Sequence, residues 1–164
     1  GWKEEIPKDR LVKKEATNNQ VWEKVHDAPF VLHTLQWLDQ YMDKDSADLP
    51  PLHIYGSPFM FTVWTYLLDI PWGKTWTYTE LAKIVHAKLS LQPDPTLLQP
   101  STPRHKSDFP QLFIRSVATA LAHNPLSVLL PCHRVIGTSG NLCGYAGGID
   151  RKIALLAHEG AVLL

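Results

Sequence analysis

The sequence has only two cysteines, Cys132 and Cys143, so no framework of disulfide bonds can replace a hydrophobic core. It also lacks any apolar run close to the roughly 20 residues that a membrane-spanning helix needs. Its first residues are polar and charged, unlike a secretory signal. These absences predict a soluble intracellular protein, cytoplasmic in a prokaryote and nuclear in a eukaryote, with a thiol free for chemistry.

An excess of one charge sign is missing too, because 16 Lys and Arg residues balance 16 Asp and Glu residues. A global basic excess, common among nucleic-acid-binding proteins, is therefore absent. The charges are nevertheless unevenly spread, with 7 basic and 10 acidic side chains in residues 1–50 but 6 and 3 in residues 101–164. Contacts with phosphate are expected toward the C-terminal end, although an ordinary solvated surface produces so mild a gradient about as often.

Hydrophobic residues make up 45% of the 164 residues, enough for one globular domain or a small domain with an accessory segment. Apolar side chains recur every three or four residues from Phe30 to Tyr41, which predicts an amphipathic helix. A proline-broken linker closed by Gly56 predicts a boundary between an N-terminal segment, residues 1–55, and a domain of residues 56–164. Residues 1–28 show no helical or strand period.

Four helix-start signals follow in the second part of the chain. Ser57 before Pro58 is one, the Thr77-x-x-Glu80 capping box is another, and Asp108 and Asp150 supply two more. The inward-facing residues predicted for these helices are Val63, Trp64, Leu67, Leu68, Leu81, Ile84, Val85, Leu112, Phe113, Val117, Leu121, Ile153, Leu156 and Ala157. Two of the helices, joined through a connection, suggest a helix-turn-helix arrangement.

Three connecting segments complete the pattern. Residues 88–110 carry five prolines and no periodicity, which predicts a long irregular loop inserted between two helices. The apolar run 126–131 predicts a buried, strand-like approach to Cys132. Residues 137–148 contain five glycines and are expected to form turns.

The densest chemical signal is Pro131-Cys-His-Arg-Val135. A cysteine acts as a nucleophile in its thiolate form, and a neighbouring imidazole and guanidinium both favour that form. A lone cysteine after an apolar segment is, however, more often an inert buried thiol. The motif therefore needs support from the rest of the chain.

That support comes from five segments, which occur in this order: Gly56-Ser-Pro-Phe-Met-Phe-Thr-Val-Trp64, Ile70-Pro-Trp-Gly-Lys-Thr-Trp-Thr-Tyr78, Asn124-Pro through Pro131-Cys-His-Arg-Val135, Gly144-Tyr-Ala-Gly-Gly148 and Leu156-Ala-His-Glu-Gly160. With them the chain resembles the O6-alkylguanine-DNA alkyltransferase (methylated-DNA-protein-cysteine methyltransferase) family over most of residues 56–160. The resemblance implies a mainly α (α+β) fold, whose C-terminal domain is of the winged-helix-like, helix-turn-helix type, with a shortened N-terminal segment.

The resemblance also implies an activity, the single-turnover transfer of an alkyl group from O6 of guanine in DNA to Cys132. His133 would deprotonate the thiol through a water, and Glu159 would orient and stabilise the imidazole. Tyr78 would give the departing guanine a proton and crowd the DNA backbone during base flipping. No cofactor and no metal are expected, because the alkyl group arrives on DNA and stays on the protein.

The same resemblance implies a DNA-binding surface. Arg115 matches the arginine that fills the gap left by the extruded nucleotide, and the helix that follows it is rich in small residues that allow close approach to DNA. The remaining base-pocket and DNA-binding residues implied are Leu121, Asn124, Arg134, Val135, Tyr145, Ala146 and Gly147. The expected partner is double-stranded DNA containing O6-alkylguanine, with O4-alkylthymine an open second substrate, bound by a monomer.

Plainer interpretations stay open from the residues alone. Glu159 could be an exposed helix-end charge, Tyr78 a packed aromatic and Arg115 ordinary surface charge. Cys143 fits a structural free thiol better than a disulfide or a metal site. Rival functions are a lesion-binding protein that flips bases without reacting, an alkylation-sensing DNA-binding regulator, and a cysteine hydrolase.

Three features depart from the family pattern. The proline-rich insertion 88–110 separates the two helices of the DNA-binding unit, and its basic side chains could add phosphate contacts. The N-terminal segment is shorter than the family's sheet-containing domain. Ala146 stands where many relatives carry a hydroxyl residue, which leaves the lesion preference open.

Overall fold

The computed structural model describes residues 11–13, 29–44, 48–91, 111–142 and 144–161. Five α-helices, four short strands and one 3₁₀ turn lie within these residues, so the expected mainly helical fold is confirmed. The chain divides into two compact units, with the division between Tyr55 and Gly56. Within the described ranges, none of the helices is both long enough and apolar enough to cross a membrane.

The first unit contains strand β1 (Leu11–Lys13), helix α1 (Pro29–Met42) and strand β2 (Leu52–Ile54). The two strands pair in parallel. Helix α1 confirms the helix predicted from the spacing of apolar residues, although two of those residues, Leu32 and Leu35, are exposed. Its Tyr41 is buried and stacks on Trp37, with 5.4 Å between the ring centroids.

The second unit is built on helices α2 (Pro58–Leu67), α3 (Tyr78–Leu91) and α4 (Gln111–Ala122). Two of the predicted caps are present. The Ser57 hydroxyl accepts a hydrogen bond from the Met60 amide at 3.3 Å, which starts α2. Thr77 and Glu80 bond reciprocally, the Thr77 amide to the carboxylate at 2.7 Å and the Glu80 amide to the Thr77 hydroxyl at 3.1 Å, which starts α3.

These three helices pack against one another around a core of large apolar side chains. Phe59 of α2 meets Phe113 of α4 edge to face, with 5.7 Å between the ring centroids. The core residues that are at most 1% exposed include Phe59, Val63, Trp64, Leu67, Leu81, Val85, Phe113 and Val117. Such close packing gives the unit a rigid frame for a functional site.

A two-stranded parallel sheet joins the start of α3 to the cysteine motif. Strand β3 (Trp76–Thr77) pairs with strand β4 (Val135–Ile136). Tyr78 directly follows β3, and the 3₁₀ turn Cys132–Arg134 directly precedes β4. The two segments that carry the candidate catalytic side chains are therefore fixed to each other by backbone pairing.

Helix α5 (Ile149–His158) differs from its prediction. It begins after Gly148, so Asp150 lies in its first turn and is not its cap. Ile153, predicted to face inward, is 44% exposed, and Ala157 is also exposed. The buried face carries Lys152, Leu156 and the following Glu159, because this face borders polar groups that pair with the two charges.

Three further predictions were wrong in part. Residues 88–91 belong to α3, so the predicted irregular loop begins too early, and its remainder, residues 92–110 with the Asp108 cap, lies outside the described residues. Leu112 is 40% exposed because the buried face of α4 runs through Phe113, Val117 and Ala120. Residues 126–131 form a turn with one bridge between Ser127 and Leu130 rather than a strand.

Candidate active site

The Cys132 thiol is buried at the start of the 3₁₀ turn, with the residue 7% exposed. The side-chain amide of Asn124 donates hydrogen bonds to Cys132 Sγ at 2.9 Å and to the Leu130 carbonyl at 2.8 Å. Its oxygen accepts from the Leu126 amide at 3.0 Å. Asn124, just beyond the end of α4, thus binds the sulfur and the chain that leads to it.

Two opposing effects set the acidity of this thiol. Burial raises the pKa of Cys132 above its ordinary value, while the Asn124 hydrogen bond and the positive charge of Lys152 lower it. Burial prevails, so the thiol is the resting form. From the sequence, His133 and Arg134 are expected to favour the thiolate, whereas in the structure Asn124 and Lys152 have this effect.

His133 is completely buried, and its Nε2 lies 2.8 Å from Oε1 of Glu159. Burial lowers the pKa of His133, and the bond to Glu159 only partly offsets this effect. For Glu159, burial would raise the pKa, but hydrogen bonds from His133 and Arg134 outweigh it and lower the pKa to about 2. The pair is therefore a neutral imidazole and a carboxylate at neutral pH.

The charge state of Glu159 decides which nitrogen of His133 carries the proton. An ionised carboxylate can only accept, so Nε2 must be the donor and Nδ1 the unprotonated nitrogen. Nδ1 is buried and has no hydrogen-bond partner among the described residues. His133 therefore presents a free basic nitrogen within the same turn as the thiol.

Arg134 forms a two-point contact with the same carboxylate. Its Nε lies 2.8 Å from Oε2 of Glu159 and its Nη2 2.9 Å from Oε1, while Nη1 donates to the Ile70 carbonyl at 2.6 Å. The guanidinium carbon also lies 5.9 Å from the centre of the Trp72 ring. The resemblance assigns Arg134 to DNA binding, and the structure places its side chain on the Glu159 carboxylate; a contact with DNA stays a prediction.

Gly73 completes the surroundings of Glu159, and its backbone permits a testable comparison. It has φ +67°, and a Cβ placed on it would lie 2.8 Å from the Glu159 carbonyl oxygen. Gly160 has nearly the same φ, +68°, but a Cβ there meets nothing within 4 Å. Both positions favour glycine, but only Gly73 also lacks space for a side chain.

We expect Gly73→Ala to lower the free energy of unfolding more than Gly160→Ala does. Both substitutions carry the cost of left-handed backbone, about 1–2 kcal/mol. Gly73→Ala adds steric overlap with fixed backbone, worth roughly 1–3 kcal/mol. Urea unfolding of the two variants measures the difference, and equal losses would contradict the close approach of Gly73 to Glu159.

Lys152 is the functional candidate that sequence reasoning missed. It is 0% exposed, and its Nζ donates to the Val135 carbonyl at 2.5 Å. Its charge lowers the pKa of both Cys132 and His133. A lysine on an amphipathic helix is ordinarily assigned to the solvent side, but its spacing from Leu156 and Glu159, four and seven residues on, indicates a common face.

Two tyrosines meet at Gly144: Tyr145 follows it in the sequence, and Tyr78 contacts its carbonyl. The half-buried Tyr78 directs its hydroxyl toward the Gly144 carbonyl at 3.5 Å, a long hydrogen bond. Burial raises the pKa of Tyr145, and so does the charge of a Cys132 thiolate, whereas a hydrogen bond with Ser127 lowers it. Tyr145 therefore lies within electrostatic range of the sulfur, whereas the contact of Tyr78 is with the preceding residue, Gly144.

The other predicted site residues are spread over a wider area. Leu121 and Val135 are buried, and Ala146 is exposed. Gly147 lies close to the Tyr145 ring, because a Cβ placed on Gly147 would be 2.6 Å from a ring carbon of Tyr145. Arg115 lies on the exposed face of α4 with Thr119 and Ala122. Cys143 lies outside the described residues, among which no group of three or more His, Cys, Asp or Glu could hold a metal.

Comparison with known proteins gives a match to one family model, described as 6-O-methylguanine DNA methyltransferase, DNA binding domain, over residues 58–161. A methylated-DNA--protein-cysteine methyltransferase of Mycolicibacterium paratuberculosis is 40% identical over 108 residues, 66% of this chain and 52% of the relative. One of Shigella flexneri is 38% identical over 117 residues, 71% of this chain and 55% of the relative. The chain thus spans about half the length of these relatives.

Solved structures show the same similarity. The structure of Mycobacterium tuberculosis OGT in complex with DNA superposes with a TM-score of 0.62 and 30% identity, covering 92% of this chain and 81% of the other. A structure of the Mycobacterium tuberculosis O6-methylguanine methyltransferase gives a TM-score of 0.60 and 29% identity, with the same coverage of 92% and 81%. The predicted family resemblance and fold class are confirmed by these matches.

Proposed function

This chain belongs to the 6-O-methylguanine DNA methyltransferase family, and from that premise we propose that it repairs DNA by moving an alkyl group from O6 of guanine to its own Cys132. One observation carries the proposal: the thiol bound by Asn124 lies in the same turn as the His133 imidazole, whose Nε2 is hydrogen-bonded to the ionised Glu159 carboxylate. A buried thiol with an adjacent base and an orienting carboxylate is the arrangement that nucleophilic catalysis by cysteine needs.

The reaction balances with the groups present. The thiol proton passes through a water to Nδ1 of His133, and the ionised Glu159 stabilises the resulting imidazolium. The sulfur attacks the alkyl carbon, so that an S–C bond forms while the bond from carbon to O6 breaks and its electron pair stays on guanine. The Tyr78 hydroxyl gives the guanine a proton and is reprotonated from solvent.

The product explains why one molecule would repair one lesion. A thioether is uncharged and has no leaving group that a second nucleophile in the site could displace. No cofactor takes part, because the alkyl group is supplied by DNA and retained by the protein. The protein is therefore consumed in proportion to the damage that it repairs.

DNA recognition would use the exposed face of α4. Arg115, Thr119 and Ala122 lie on this face, and the small side chains of Thr119 and Ala122 permit close approach to a groove. A base inside a duplex cannot reach the buried sulfur, so the lesion must leave the stack. The flipped guanine would then sit in a pocket formed by Tyr78, Leu121, Val135, Tyr145 and Ala146.

The proposal is tested by the intact mass of the protein after incubation with a duplex oligonucleotide that contains O6-methylguanine. We expect one methyl group to replace one proton on every active molecule, to map to Cys132, and never to exceed one per chain. The Cys132→Ser variant should bind the same DNA without gaining mass. DNA binding without any methyl uptake by the wild type would instead identify a lesion-binding protein, and methanol released over many turnovers a hydrolase.

A further inference from the structure

The C-terminal end of α4 has an unusual hydrogen bond. The indole Nε1 of Trp64, in α2, donates to the Ala120 carbonyl at 2.9 Å, and both groups are buried. In a continuing α-helix that carbonyl would accept from the backbone N–H four residues on, which is that of Asn124. The backbone N–H of Asn124 instead donates to the Leu121 carbonyl at 3.1 Å. A side chain from α2 thus replaces the backbone donor at this point.

This exchange has a direct consequence for Asn124. Because the Ala120 carbonyl is already satisfied by the indole, the end of α4 at Ala122, just before Asn124-Pro125, does not leave this buried acceptor unpaired. Asn124 is released from the regular helix, and its side chain turns to Cys132 and to the backbone of residues 126 and 130. Without the indole, a hydrogen bond from the backbone N–H of Asn124 to the Ala120 carbonyl would stabilise the protein, since an unpaired buried carbonyl is costly in free energy.

The segment between Asn124 and the thiol is itself held against its local preference. Val128 has φ +75°, a left-handed conformation that a β-branched residue rarely adopts. Such a conformation persists only where several contacts fix it. Here Asn124 binds the chain on both sides of Val128, at Leu126 and Leu130. Movement of Asn124 would therefore let this segment relax. It would also take the Asn124 carboxamide away from the sulfur.

We propose that Trp64 is a positioning residue for the alkyl transfer, which rests on the function proposed above. Its indole N–H closes α4 at the Ala120 carbonyl, and so keeps Asn124 out of the helix and on the Cys132 sulfur. Trp64 would touch neither the thiol nor the substrate. Its effect passes entirely through Asn124, and this makes the proposal testable by a double-mutant cycle.

The test measures the reaction of Cys132 with iodoacetamide as a function of pH, with the modified peptide identified by mass so that Cys143 does not interfere. Trp64→Phe keeps an aromatic ring but removes the donor. We expect the pH midpoint of the reaction to rise and the rate at neutral pH to fall by about three- to tenfold, because the hydrogen bond to the sulfur favours the thiolate. Methyl transfer from DNA should slow by a similar factor.

Asn124→Ala should produce a shift at least as large, and adding Trp64→Phe to it should change the midpoint no further. Phe59→Leu is the matched control, since Phe59 is a buried aromatic of α2 that packs on α4 without binding its last carbonyls. This variant should leave the midpoint unchanged. If Trp64→Phe folds poorly, replacing the indole at residue 64 by benzothiophene, which exchanges the N–H for sulfur, tests the same bond at nearly constant volume.

The outcomes separate this inference from the proposed function. An unchanged midpoint in the Trp64 variants, or additive shifts with Asn124→Ala, would overturn the inference even if the wild type takes up methyl groups. Conversely, a wild type that takes up no methyl group but shows the expected cycle with iodoacetamide would contradict the alkyl transfer alone. The positioning of the thiol would then stand as a property of the free protein.

Discussion

Glu159→Gln is expected to slow methyl transfer by roughly 10²–10⁴-fold at neutral pH. The carboxylate accepts from His133 Nε2 and thereby leaves Nδ1, the base in the proposed transfer, unprotonated. A carboxamide can donate its own N–H to Nε2, which would place the imidazole proton on Nδ1, the nitrogen proposed as the base. The substitution also leaves the Arg134 guanidinium without its counter-charge.

Single-turnover rates with the O6-methylguanine duplex measure this effect. Asp150→Asn is the matched control, because it removes an exposed carboxylate from the first turn of the neighbouring α5 and should leave the rate unchanged. Transfer by Glu159→Gln within a few-fold of the wild-type rate would show that the imidazole does not depend on this carboxylate. The assignment of His133 as the base would then fail with it.

The same substitution should reveal how stability depends on pH. Because the pKa of Glu159 falls from 4.5 to about 2 on folding, its ionised form contributes on the order of 3 kcal/mol of stability at neutral pH. This contribution is complete above the unfolded-state pKa and is lost as the pH falls toward the folded-state value. Urea unfolding should therefore show a gap between wild type and Glu159→Gln that narrows from pH 5 to pH 3.

Lys152→Met is expected to lower the rate of Cys132 alkylation at neutral pH by about tenfold or more. The buried ammonium lowers the pKa of the thiol, so its loss must raise that pKa and move the pH midpoint of reactivity upward. Methionine has a similar length and fills the buried space with an apolar side chain. The rate should accordingly recover at high pH, which distinguishes a change of charge from a collapse of the site.

Reaction of the free protein with iodoacetamide over a range of pH provides the measurement, without any contribution from DNA binding. Arg151→Met is the matched control, since it removes a positive charge from the adjacent but exposed position of α5. Its midpoint should remain that of the wild type. If Lys152→Met also retained the wild-type midpoint, the lysine would have a structural role only, through its bond to the Val135 carbonyl.

Several features of this protein were determined by its sequence alone, because they depend on groups only a few residues apart. The starts of α2 and α3 follow from the Ser57 cap and from the Thr77 and Glu80 capping box, whose bonds span three residues. The five motifs that include Pro131-Cys-His-Arg-Val135 were enough to predict the family and the mainly helical fold. Local hydrogen bonds and periodic burial need no knowledge of the distant chain.

Tertiary structure alone decided how the charged groups meet. Glu159 lies 26 residues from His133 in sequence, yet it binds both that imidazole and the Arg134 guanidinium. Lys152 carries a charge yet is fully buried, and Asn124, two residues beyond the end of α4, binds the thiol. Burial of a charge costs free energy unless folding supplies partners, so sequence patterns assign charged side chains to solvent. Only the packed structure shows where the partners of a buried charge lie.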